Sequence, residues 1–260
     1  MSALASIRVL LALLLTLSVT ACGNASPQSL TVEILATYPH DPTAFTQGLE
    51  LVDGKLYEST GIVGASSVRE VDLVTGDVVR IRSVARPHFA EGMTAVGEEL
   101  WQITWQTGTA FRWDRATFEP LGSFDYQGEG WGICLGAGTL YMSDGSANLF
   151  RRDPSTFQLT GSVKVTDDKG EVTRLNELEC VGDAVYANVW QTDRIVRIDP
   201  KSGKVTASID ASALRRALPA TGRAIDVLNG IAYVEERETF LLTGKYWPLV
   251  FEVRFVEAGR

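Results

Sequence analysis

The chain has 260 residues, 45% of them hydrophobic and 22% charged, the profile of an ordinary globular protein and not of a disordered or multi-span one. With 24 Lys and Arg against 32 Asp and Glu the formal net charge is -8, which excludes a partner chosen for polyanionic charge, nucleic acid included. Only two histidines are present, His40 and His88, and the three cysteines, Cys22, Cys134 and Cys180, form no CxxC, so no zinc-site spacing exists.

Residues 1–21 read as a signal. Arg8 gives a thin positive start, Val9 to Leu17 is apolar apart from Thr16, and Val19-Thr20-Ala21 lead into Cys22. Small residues directly before a cysteine resemble a bacterial lipoprotein signal, which implies lipidation of Cys22 and export to the cell envelope on a lipid anchor. A plain secretory signal, with a secreted or periplasmic product, is the other reading. The apolar run is too short for a retained membrane span. Cleavage would leave 23 basic and 32 acidic residues, and residues 22–29 would be a polar tether before a single domain over 30–260.

Leu30 to Thr37 alternates apolar and polar residues as an edge strand does. Beyond it the chain repeats. Gln47 in FTQGL, Glu91 in FAEGM, Trp131 in EGWGI, Asn176 in LNELE and Asn229 in LNGIA align at separations of 44, 40, 45 and 53 residues, a blade-like period. Ten residues after the first four come Tyr57, Trp101, Tyr141 and Tyr186; Phe240 stands eleven after the fifth. Four units then carry a turn opened by Asp72, Asp114, Asp153 or Asp199, where a carboxylate can accept from backbone N–H two residues on.

Each turn leads into a further predicted strand: Val78 to Val84, Pro120 to Tyr126, Leu159 to Val165 and Val205 to Ile209. The last unit offers Ile231 to Val234, Thr239 to Thr243 and Leu249 to Val256, one strand short, after a short surface helix over Ala211 to Leu218. The expected fold is therefore an all-β, five-bladed β-propeller in which the N-terminal strand completes the last blade and removes an open edge. Five strand starts then converge on the central channel and bring Gln47, Glu91, Trp131, Asn176 and Asn229 together as a polar, aromatic pocket. Cys134 and Cys180 fall in neighbouring inner strands one register apart, and export permits a bridge without requiring it.

The segments YPHDPTAFTQGLE (38–50), FAEG (89–92), GWGI (130–133), LNELE (175–179), VLNGIAY (227–233) and LTGKYWP (242–248) resemble the glutamine cyclotransferases across nearly the whole mature chain. That resemblance implies conversion of an N-terminal glutaminyl residue of a peptide or protein to pyroglutamyl with loss of ammonia and without a catalytic metal; a monomer with no cofactor is expected. It assigns the proton shuttle to Glu91 and polarisation of the side-chain amide to Asn176. Gln47 and Lys245 would be polar substrate contacts, and Phe45, Phe89, Trp105, Trp131 and Trp190 the aromatic lining; Asn229 fits the same pocket as a substrate contact or else caps a turn. Trp101, Trp113 and Trp247 read as core, and Glu177 and Glu179 as strand-fixing acids, one of them paired with an arginine. Two other functions fit the architecture: an exported propeller that binds a peptide or sugar without turnover, and a calcium-dependent lactonase-like enzyme using Glu91, Asn176 and Asn229.

Overall fold

A computed structural model describes residues 26–220 and 222–259; the expected signal and Cys22 lie outside the described residues. The chain is all-β and propeller-like. Strand β1 (Gln28–Pro39) is followed by β2 (Thr46–Val52), β3 (Lys55–Thr60), β4 (Ser67–Val71) and β5 (Val78–Ser83), a four-stranded antiparallel sheet. The next such sheet is β6 (Ala90–Val96), β7 (Glu99–Thr104), β8 (Thr109–Asp114) and β9 (Pro120–Asp125). A third is β10 (Ile133–Gly136), β11 (Thr139–Met142), β12 (Asn148–Arg152) and β13 (Leu159–Lys164). A small ribbon, β14 (Thr166–Asp167) with β15 (Gly170–Glu171), separates it from β16 (Leu175–Val181), β17 (Ala184–Val189), β18 (Arg194–Ile198) and β19 (Val205–Asp210). Helix α1 (Ser212–Ala217) then leads to β20 (Leu228–Val234), β21 (Thr239–Gly244) and β22 (Leu249–Glu257).

The last two arrays form one eight-stranded sheet, ordered β16-β17-β18-β19-β1-β22-β21-β20. Strand β1 runs antiparallel to β22 from Leu30 opposite Glu257 to Pro39 opposite Leu249. It also runs parallel to β19, with Gln28 opposite Ala207 and Thr31 opposite Asp210. The strand thus starts two residues before the expected Leu30 and has a second partner that the repeat count did not suggest.

The turn aspartates act as their position implies. Asp72 Oδ1 accepts from the N–H of Val74 and Thr75, Asp114 Oδ1 from Thr117, Asp153 Oδ1 from Ser155 and Thr156, and Asp199 Oδ1 from Lys201. The turn residue at positive φ is glycine twice but phenylalanine at Phe118 (φ 60°) and Phe157 (φ 59°). Both rings are buried, and the guanidiniums of Arg80 and Arg152 lie 4.0 and 4.7 Å from their centroids, so packing offsets the backbone cost.

Apolar cores lie between arrays. Tyr57 and Val68 pack on Met93 and Trp113; Trp101 and Ile103 on Ile133 and Phe157; Tyr141 and Leu149 on Leu178 and Val196. Ile195 and Ile209 pack on Ile231 and Phe240, and Val234 and Leu241 return to Leu49 and Leu56 of the first sheet. The first strands touch in the same cyclic order, β2 to β6 to β10 to β16 to β20 and back to β2. Trp101, Trp113 and Trp247 are all buried, in line with the core reading.

Around the axis the strands come close enough to demand glycine. A Cβ on Gly92 would lie 2.7 Å from the Cα of Gly132, and one on Gly132 would lie 2.1 Å from the carbonyl oxygen of Asn176. In the fourth array the corresponding residue is Glu177. Its buried carboxyl crosses the axis and accepts from the N–H of Leu49 (3.2 Å) and of Ile231 (2.9 Å), while Glu179 accepts from the N–H of Tyr233 (2.8 Å). These acids do fix strands, but through backbone amides of other arrays where an arginine was expected. Burial pushes the carboxyls of Glu177 and Glu179 well above the usual range, helped by repulsion from Glu179 and Glu50 at Glu177 and from Glu50 at Glu179.

Cys134 of β10 and Cys180 of β16 are joined as a disulfide, which ties the third array to the fourth. Helix α1 is shorter than the expected Ala211 to Leu218, and it is anchored by buried Leu214.

Candidate active site

One end of the axis opens into a cavity of about 330 Å³. Its walls are Phe45, Gln47, Phe89, Glu91, Trp105, Trp131, Asn176, Trp190, Gln191, Asp226, Val227 and Lys245. Gln47, Glu91 and Asn176 each occupy the second position of a first strand, β2, β6 and β16. In all three strands the pairing register shifts there, between Thr46 and Gly48, between Ala90 and Met93, and between Leu175 and Leu178. A bulge re-aims the residue it carries. Here it takes side chains out of strict alternation and delivers them to the mouth of the channel.

Phe45 and Phe89 immediately precede their strands and meet edge-to-face at 5.9 Å. Phe89 meets Trp105 at 5.7 Å, and Trp131 meets Trp190 at 5.4 Å on the adjoining wall. Edge-to-face contacts of this kind give a stiff apolar lining. Lys245 sits in the turn after β21, where its backbone pairs with the segment before β20: Asp226 N–H donates to Lys245 O and Lys245 N–H to Val227 O. Its Nζ lies 4.6 Å from the centroid of Phe45. The turn is braced from behind by Arg215 of α1, whose guanidinium lies 5.4 Å from the Trp247 ring and donates to Asp226 O.

The polar floor is a relay. Asn229 Nδ2 donates to Thr46 O (3.0 Å) and to Gln47 Oε1 (3.3 Å), and Gln47 Nε2 donates to Glu91 Oε1 (3.0 Å). Glu91 is 5% exposed, and burial drives its carboxyl well above the ordinary range; Lys245 pulls it down and Glu129 pushes it further up. Burial pulls the Lys245 ammonium below its ordinary value, opposed by Glu91 and Asp226. Burial thus disfavours the charged form of both Glu91 and Lys245, while each favours the charge of the other, the kind of perturbed pair found at sites of proton transfer.

The ten residues expected at the site sort unevenly. Nine are on the cavity wall, whereas Asn229 is fully buried behind Gln47 and is a support instead of a contact. Gln191, Asp226 and Val227 were not anticipated. Val227 opens the VLNGIAY segment, Asp226 precedes it and Gln191 follows Trp190, but only the tertiary approach of two loops makes them lining. Among the described residues no three His, Cys, Asp or Glu side chains gather as a metal site. The alternative calcium set of Glu91, Asn176 and Asn229 is split, since Asn229 is fully buried and does not reach the cavity wall.

An axial cavity with aromatic walls and one buried acid, at the end of a propeller-like ring, defines a class of small-substrate pocket. The particular family follows from comparison. The chain matches the glutamine cyclotransferase family over residues 7–255. It is 42% identical over 231 residues to the glutaminyl-peptide cyclotransferase of Arabidopsis thaliana, covering 88% of this chain and 72% of the relative. It superposes on the crystal structure of Myxococcus xanthus glutaminyl cyclase with a TM-score of 0.83 at 38% identity, covering 90% of this chain and all of the other. A hydrazine synthase of Kuenenia stuttgartiensis matches in fold alone, with a TM-score of 0.50 at 15% identity over 85% of this chain and 65% of that one. The chain belongs to the glutamine cyclotransferase family.

Proposed function

We infer that this chain is a glutaminyl-peptide cyclotransferase built as a five-bladed β-propeller, which turns an N-terminal glutaminyl residue of a peptide or protein into pyroglutamyl and releases ammonia. Five interface cores in cyclic order, and first strands in contact in that order, support the blade count. The buried Glu91 in an aromatic cavity, within a chain of this family, is the observation that carries the activity.

The reaction joins the α-amino nitrogen to the carbonyl carbon of the same residue's side-chain amide. Ring closure is fast once the side chain is folded back, so the first task of the site is to hold that conformer. The Phe45, Phe89, Trp105, Trp131 and Trp190 walls do this and exclude water. Glu91, as carboxylate, takes a proton from the attacking amine as the new C–N bond forms. The oxyanion that develops on the amide oxygen is met by Asn176 and Lys245. Glu91 then returns the proton to the departing nitrogen, the old C–N bond breaks, and ammonia leaves. No net proton is gained or lost by the enzyme. Burial raises the proton affinity of Glu91 above that of an ordinary carboxylate, which makes it the better base for the amine proton. Gln47 fixes the carboxyl through its Nε2.

We further propose that the protein is exported and lipid-anchored through Cys22; the run before that cysteine and a disulfide suited to an oxidising compartment support this. The test of the activity is incubation of residues 26–260 with a Gln-initiated dipeptide amide while ammonia and a blocked, pyroglutamyl product are followed. Equimolar appearance of both is expected. Tight binding of the peptide with no ammonia would mark a binding protein instead.

A further inference from the structure

Glu129 does not line the cavity, yet it joins two of its walls. Trp105 Nε1 donates to Glu129 Oε2 at 2.8 Å and Trp131 Nε1 donates to the same oxygen at 2.9 Å, while Gln106 Nε2 donates to Oε1 at 3.2 Å. Trp105 follows β7 in the second array and Trp131 precedes β10 in the third, so the shared oxygen spans the seam between two arrays. An exposed acid that accepts one indole is an ordinary surface contact. One oxygen that takes both indoles of a substrate cavity, from consecutive arrays, sets the distance between them, and hydrogen bonds to an ionised acceptor are the stronger kind.

We propose that Glu129 is a positioning residue of this site, a carboxylate clasp that holds Trp105 and Trp131 as cavity walls and keeps a fixed negative charge within electrostatic reach of Glu91. This rests on the cyclotransferase reading above. Partial burial raises the proton affinity of Glu129, but hydrogen bonds from Trp131, Gln106 and Trp105 outweigh it and hold the carboxyl below its ordinary value, which favours the charged clasp. The charged and titratable groups facing Glu91 are Lys245, which favours its ionised form, Glu129, which disfavours it, and Tyr126, whose phenol is pushed up to about 12 by burial and stays neutral. Asp226 acts at one remove, through Lys245.

Two substitutions separate the two parts of the role. Glu129→Gln keeps an oxygen for the indoles and removes the charge; Glu129→Ala removes both. With a Gln-initiated dipeptide amide, Glu129→Ala should raise KM about tenfold with kcat changed by less than about threefold, as the loss of charge-assisted bonds that shape the binding walls requires. Glu129→Gln should keep KM within about twofold, but the acid limb of its kcat/KM profile should move to lower pH, since a carboxyl relieved of a negative neighbour ionises more readily. The substrate's own amine titrates identically with every variant, so only the difference between variants is read. Acrylamide quenching of tryptophan emission gives a readout independent of turnover: it should rise in Glu129→Ala and match wild type in Glu129→Gln. A wild-type enzyme that releases no ammonia would sink the cyclotransferase reading while quenching still reports on the clasp. An unmoved acid limb in Glu129→Gln, or wild-type KM and quenching in Glu129→Ala, overturns the role of Glu129.

Discussion

Gln47 donates its Nε2 to Oε1 of Glu91 across 3.0 Å, and both side chains come from the displaced second position of neighbouring first strands. One array's bulge therefore fixes the acid presented by the next. The carboxyl is oriented before any substrate arrives, and Asn229 holds the amide that orients it.

Glu91→Gln preserves shape and hydrogen-bonding capacity but cannot take the amine proton. Because general acid-base catalysis contributes about 100-fold to 10,000-fold, kcat should fall by that range while circular dichroism and melting temperature are kept. Asn176→Ala should lose turnover through weaker support of the oxyanion. Cyclisation by folded Glu91→Gln at the wild-type rate would remove the shuttle from this residue.

Chelation separates this mechanism from a calcium-dependent one. Glu91 is engaged by Gln47, and among the described residues no metal-binding cluster forms, so dialysis against EDTA should leave kcat/KM unchanged. Loss of activity that calcium or zinc restores would transfer the chemistry to a metal.

Stability should carry a signature of His40. Its Nδ1 faces the carbonyl of Trp247 at 2.7 Å and its Nε2 faces Glu58 Oε1 at 3.1 Å, two acceptors that together select the imidazolium. Burial lowers the affinity of His40 for its proton, but Glu58 outweighs it and the net shift is upward; in Glu58, His40 and Arg69 outweigh burial and the shift is downward. A raised histidine gives stability that is complete below its unfolded value of about 6.5 and is lost as pH rises through the folded one, whereas a depressed carboxylate gives stability lost as pH falls through its folded value. The melting temperature should thus decline on the alkaline side above pH 6.5, and His40→Ala should cost about 3 to 5 kcal/mol by removing one partner of a buried ion pair and leaving Glu58 to Thr46 and the more distant Arg69. A variant with wild-type stability across that window would refute the assignment.

The N-terminal strand is paired on both sides, so its removal opens two edges at once. A protein that starts at Tyr38 should melt well below the full domain and aggregate on heating. An unchanged melting temperature would show that the ring does not depend on β1.

For the anchor, Cys22→Ser should leave activity intact and shift the protein from the membrane to the soluble fraction, since a lipid chain and not a span is proposed to hold it. Unaltered membrane fractionation would rule the anchor out.

Much of the architecture was legible because it is written locally. The aspartates that open four of the turns act on backbone two or three residues ahead, and the aromatics Tyr57, Trp101, Tyr141, Tyr186 and Phe240 recur ten or eleven residues after each strand start, although they then pack on neighbouring arrays. What stayed hidden depends on chain segments far apart in sequence. Glu177 looks like any strand acid until the axial glycines are superposed and it is found in their place, reaching Leu49 and Ile231. The cysteines, one register apart by alignment, are brought within bonding distance by the way β10 approaches β16. Asn229 belonged to the repeat but not to the wall, because the amide in front of it, Gln47, needed an acceptor filled from behind.

The double pairing of β1 leaves the two ends of the domain side by side, where Ala258 N–H donates to Ser29 O at 3.1 Å. A ring joined in this way has no physically privileged first residue. A few residues of linker between those ends, with new termini cut at the tip of the ribbon between Asp167 and Gly170, would give a circular permutant whose cavity is assembled from the same walls in a different order of synthesis.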